Sequence, residues 1–158
     1  MSFNQVPGLV NYYNQSELLN AGFRMIFSYP YNQATSTLDI INIRNQCNTN
    51  SVICVGGMEN LVTNEILRVL ACANCLSVTT QTILNQPKFV GEAYWYFTPN
   101  FSFGFAPTIE IDQRNADQFD KSSNLRVSWH LDTNGGYRLG NLFPLNINPN
   151  YSKRVFLK

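Results

Sequence analysis

Between Asn124 and Gly140 the chain reads NLRVSWHLDTNGGYRLG, and no other stretch limits the possible folds so tightly. Leu125, Val127, Trp129 and Leu131 alternate with Arg126, Ser128, His130 and Asp132. This is the period of two that gives a strand one buried face and one wet face. Trp129 is therefore expected in a core and His130 at a surface. The run Thr133-Asn134-Gly135-Gly136 tolerates positive φ, so the chain is expected to reverse there and return as Tyr137-Arg138-Leu139 in a β-hairpin. With Tyr137 and Leu139 turned inward, Arg138 joins the polar face. Arg126, His130, Asp132 and Arg138 then form one patch, with Asn134 at its tip.

The rest of the chain favours the same class. About twenty of the 158 residues are Asn, and 13% are aromatic, a turn-rich and strand-forming composition rather than that of a helical bundle. A chain of this length can bury a core without metals or disulfides to hold it. Phe23, Met25, Phe27 and Tyr29 alternate toward Pro30; Leu38–Arg44 reads as a second strand; Val52–Val55 reads as a short buried one ended by Gly56-Gly57. Residues 59–76 fit either a short helix or, as we favour, a strand over Glu65–Cys72 that turns at Ala73-Asn74 and returns over Cys75–Thr82. The stretch Lys88–Phe97 is the most aromatic. Its alternation puts Trp95 and Phe97 on one face and Tyr94 and Tyr96 on the other. Phe101, Phe103 and Phe105 follow with small residues between them, a strand whose aromatic side is expected in the core, and Tyr151–Lys158 reads as a closing strand. The expected architecture is all-β: an antiparallel β-sandwich over residues 21–158, with 1–20 as an N-terminal arm or irregular edge. A closed barrel or trefoil is the alternative.

Charge and motifs exclude several functions. A net charge of +1 with 13% charged residues offers no basic surface for a nucleic-acid backbone, so no nucleic-acid partner is expected. The single histidine rules out multi-His metal sites. Neither a Gly-x-Ser-x-Gly elbow nor a phosphate-binding glycine loop is present, so the chain is read as a non-enzymatic protein without cofactor or metal. Cys72-x-x-Cys75 has the first half-spacing of a zinc site, but Cys47 and Cys54 are too far apart to complete one. The N-terminus lacks the regions of a secretory signal. If Met1 is the natural start, the expected address is the cytoplasm and the four cysteines are expected to be reduced.

Two arginines, an imidazole and a carboxylate on one strand face suit directional hydrogen bonding to a hydroxyl-rich ligand, and outward tyrosines suit stacking on sugar rings. The functional expectation is accordingly a lectin-like, carbohydrate-binding domain. Its ligand residues would be Arg126, His130, Asp132, Asn134, Arg138, Tyr94 and Tyr96. The rival is a structural, self-assembling protein whose tyrosine face and N-terminal arm make contacts in a homo-oligomer. Membrane association through exposed aromatics is weaker, because Lys and Arg are sparse.

Overall fold

The structure is a computed structural model that describes residues 6–61, 64–111, 122–133 and 136–158. It consists of two open antiparallel sheets packed face to face, the expected sandwich rather than a barrel. The first sheet contains β1 (Leu9–Asn14), β2 (Arg24–Pro30), β3 (Val52–Glu59), β4 (Ile66–Asn74) and β10 (Tyr151–Leu157), in the order β1-β4-β3-β10-β2. The second is a meander of β5 (Lys88–Val90), β6 (Ala93–Thr98), β7 (Ser102–Ala106), β8 (Val127–His130) and β9 (Gly136–Leu139). Three short helices decorate them: α1 (Gln15–Asn20), α2 (Thr37–Arg44) and α3 (Cys75–Val78).

One apolar cluster fills the space between the sheets. Ile53, Val55, Val69, Ala71, Val155 and Leu157 from the first sheet meet Trp95, Phe97, Phe103, Phe105, Val127, Trp129 and Leu139 from the second. Trp129 is fully buried and stacks on Phe27 from the opposite sheet at 5.8 Å, as its place in the alternation requires. A second cluster lies on the far side of the first sheet, where Leu18 of α1 and Phe23 cover Val52, Cys54, Leu70, Cys72 and Phe156. Strands β3 and β4 are thus covered on both faces, and that is why they read as nearly continuous apolar runs.

Several local expectations are corrected. Gly56-Gly57 does not end β3, which continues to Glu59. A Cβ at Gly56 would lie 2.2 Å from the Val69 carbonyl oxygen, and one at Gly57 would lie 2.9 Å from Leu139 Cδ1. These glycines mark close approach, not a turn. Leu38–Arg44 is helix rather than strand. Ser36 caps it, its hydroxyl accepting from Asp39 N at 2.9 Å while the Asp39 carboxylate accepts from Ser36 N at 2.8 Å. That reciprocal pair sets a helix start despite the β-branched residues that follow. Ile40 and Ile43, three apart, are its buried side.

Strand β4 forms as expected but runs on to Asn74, and the returning strand is instead the single turn α3. Asn74 caps it by accepting from Ser77 N at 3.0 Å. The predicted arm is partly built into the sheet: Leu9–Asn14 pairs with β4 as an edge strand, and α1 follows. Residues 1–5 lie outside the described residues. The aromatic stretch is two strands, β5 and β6, hinged at Gly91.

The expectation of reduced thiols is also overturned. Cys47 is bonded to Cys75 and Cys54 to Cys72, so all four cysteines are used. Cys54 and Cys72 sit directly opposite in the β3–β4 register. Cys47 and Cys75 are the ends of two connections that local pattern could not show to meet.

Candidate functional site

The register of the second sheet brings most of the expected ligand residues to one face. Tyr96 pairs with Gly104, Gly104 with Ser128, Ser128 with Arg138, and Ser102 with His130. Gly104 leaves room there, since a Cβ would lie 2.0 Å from the Val127 carbonyl oxygen and 2.7 Å from the Tyr96 hydroxyl. The alternation expected along β6 and β8 holds, but the face is not open. Residues on either side of the long connection between β7 and β8 lie over it.

Arg126 is buried; its Nη1 donates to Glu110 O and its Nη2 to Thr108 Oγ1, both at 2.9 Å. Arg138 is fully buried and donates through Nη2 to Ser123 O at 3.0 Å and through Nε to Gly140 O at 2.5 Å. Its guanidinium lies 4.6 Å from the centroid of Phe143. Tyr96 is fully buried against Ala106 and Ile111, and its hydroxyl donates to Val127 O at 3.2 Å.

The other expected residues are not covered in the same way. His130 is half-buried and stacks on Tyr137 at 4.9 Å. Tyr137 was expected in the core, but the β8–β9 pairing shifts register between Ser128 and Trp129, an irregularity that places the ring beside His130. Tyr94 is half-buried against the exposed ring of Phe89 at 4.9 Å. Asp132 is exposed and has a φ of 67°. Its carboxylate accepts from Thr37 N at 2.8 Å and from the Thr37 hydroxyl, an anion at the start of α2 where the helix dipole favours one. Asn134 lies outside the described residues.

A different place combines exposure, concavity and strain. Tyr12 lies in the middle of the edge strand β1, whose neighbours Asn11 and Tyr13 pair with Val69 and Leu67. Yet its φ is 57° and its side chain is 65% exposed. A bulky residue in the left-handed region costs roughly 1–2 kcal/mol, so the surrounding contacts must hold it there. Arg68 on β4 provides one, its guanidinium 5.8 Å from the Tyr12 ring centroid. Arg68 is itself oriented by Asn141, which accepts from its Nη2 at 3.2 Å. Asn11 fixes the backbone on both sides by donating to Arg68 O at 3.1 Å and Asn124 O at 2.7 Å. Tyr12, Glu59, Asn64, Ile66 and Arg68 line a solvent-open groove of about 210 Å³.

The groove offers an aromatic face, an apolar side chain at Ile66, and a carboxylate, an amide and a guanidinium as directional partners. Among the described residues, no group of three His, Cys, Asp or Glu side chains is placed to hold a metal ion. Sequence reasoning missed this groove because Tyr12 fell in the segment read as an arm. Periodicity carries no signal for a tyrosine with positive φ. No protein-family model matches the chain, and comparison with characterised proteins and with solved structures likewise gives no match.

Proposed function

We propose that the protein is a non-enzymatic carbohydrate-binding domain whose ligand sits in the Tyr12 groove. The observation that carries this reading is the Tyr12 ring, held exposed on a strained backbone beside Arg68 at the mouth of a cavity. Backbone strain of this kind persists where the surroundings fix it, and it concentrates at binding sites. A tyrosine face stacks on the C–H side of a sugar ring, while Glu59, Asn64 and Arg68 supply acceptors and donors for hydroxyl groups. The expected face on the second sheet is less suited, because its two arginines and Tyr96 are occupied inside the fold.

The strand edges support this reading over self-assembly by strand addition. Strand β1 is interrupted at Tyr12, β2 ends at Pro30 and β5 has three residues. The outer edge of β9 is taken by residues 142–145, through Leu139 N to Leu142 O at 3.1 Å and Leu145 N to Tyr137 O at 2.9 Å. These are the devices that blunt edge-to-edge pairing. The test is a glycan array probed with the wild-type chain and with Tyr12→Ala, run beside sedimentation. Binding lost in the variant supports the reading. A blank array, or binding indifferent to Tyr12, overturns it.

A further inference from the structure

Among the described residues, Lys153 is the one lysine whose side chain is fully buried, and it points into the space between the sheets. It shares the inward side of β10 with Val155 and Leu157. Its Nζ donates to Gln33 O at 2.6 Å and to Thr35 Oγ1, and it lies 5.9 Å from the Trp129 ring centroid. Both acceptors belong to the connection between β2 and α2. That connection also reaches the second sheet, where Asp132 N donates to Thr35 O at 2.8 Å and Thr35 bridges Leu131. Lys153 thus anchors the segment that joins the two sheets at this end of the sandwich.

The number of acceptors suits one protonation state. A neutral amine has two N–H groups, and two acceptors are present; an ammonium has a third N–H to satisfy. The Trp129 ring face, 5.9 Å from Nζ, would attract the ammonium weakly but accepts no conventional hydrogen bond, and the nearby carboxylates are engaged elsewhere. Asp39 on α2 attracts positive charge, but its carboxylate already accepts from Ser36 N at 2.8 Å. Asp132, at the end of β8, is taken by Thr37. Tyr31 is kept neutral by burial, and its hydroxyl donates to Arg138 O of β9 at 3.0 Å. The strand neighbours on β2 and β3 are Tyr29 and Gly57.

We propose that Lys153 is a pH-sensitive latch: as a neutral amine it seats residues 33–35 between the sheets, and the latch loosens as falling pH favours the ammonium. Burial pushes the amine down to about 7, against the attraction of Asp39. Because the folded value lies below the unfolded one, unfolding takes up a proton between about 7 and 10. Stability is therefore present at high pH, is lost as pH falls through that window, and levels off below about 7.

The experiment is a urea titration of the wild-type chain and of Lys153→Met at intervals from pH 6 to 10, with NMR observation of lysine ε-carbons. In the wild type the Lys153 signal is expected to titrate near pH 7, and the Asp132 amide shift is expected to follow it. The unfolding constant should rise by up to tenfold per pH unit from 10 down to 7, and Lys153→Met should remove that slope. Lys153 titrating at the ordinary lysine value of about 10, or an Asp132 amide indifferent to its titration, overturns the proposal. If Lys153→Met does not fold, the wild-type NMR titration alone decides.

Discussion

The outer face of the second sheet and the β1–β4 edge of the first both carry arginine and tyrosine, yet they have opposite fates. Arg138 and Tyr96 are fully buried beneath other parts of the chain, whereas Tyr12 is mostly exposed and Arg68 turns its guanidinium toward it. The difference lies in what covers each face. The connections around Thr108–Ile111 and Ser123–Arg126 return over the second sheet and consume its polar groups. At the first sheet's edge, Asn11 and Asn141 orient the groove and leave its mouth open. A polar side chain on a strand face is therefore a poor guide to a binding site until the loops that cross that face are placed.

Four perturbations sharpen or break this comparison. The largest effect is expected from reduction, because each of the two bridges should contribute roughly 2–4 kcal/mol by limiting the unfolded chain. Since Cys54–Cys72 staples β3 to β4, hydrogen exchange in the reduced protein should rise first in the groove-bearing sheet. An unchanged melting temperature on reduction would remove the covalent account of that sheet. Trp129→Ala follows, with an expected loss of about 3–5 kcal/mol in urea unfolding, because its ring is packed between Phe27 and Phe103.

Arg138→Ala should cost on the order of 1.5–3 kcal/mol from its charge-assisted bonds to Ser123 O and Gly140 O. It should leave ligand affinity untouched. Loss of binding with intact stability would return the site to the second sheet. The smallest effect on folding is expected at Tyr12→Gly, which relieves the left-handed backbone and should be neutral or up to about 1 kcal/mol more stable by thermal melting. A clear destabilisation there would show that Tyr12 is a packing residue.

Sequence patterns revealed the parts of this fold in which one residue type meets one environment. Alternation placed Trp129, Phe103 and Phe105 in the core and His130 outside it, since a strand with one covered face leaves little choice of phase, but it misplaced Phe101, which lies in the turn before β7 and is exposed. The pattern failed where a local cap outweighed composition, as when Ser36 and Asp39 turned an isoleucine-rich run into α2. It failed again where the partner is remote: Cys47 meets Cys75 across 28 residues of sequence. The candidate site combined both difficulties. Tyr12 is exposed through an unusual φ, and the residues around its groove come from β1, β3, β4 and the turn between β3 and β4.

The proposal that the Tyr12 groove binds carbohydrate is tested most directly by calorimetric titration of wild type, Tyr12→Gly and Arg138→Ala with the highest-scoring glycan from the array, each beside a melting curve. The Tyr12 groove predicts that Tyr12→Gly keeps or gains stability while losing about 1.5 kcal/mol or more of binding free energy, a tenfold or greater weakening, and that Arg138→Ala melts earlier with wild-type affinity in its folded fraction. Wild-type affinity in Tyr12→Gly, with binding lost in a fully folded Arg138→Ala, would contradict it.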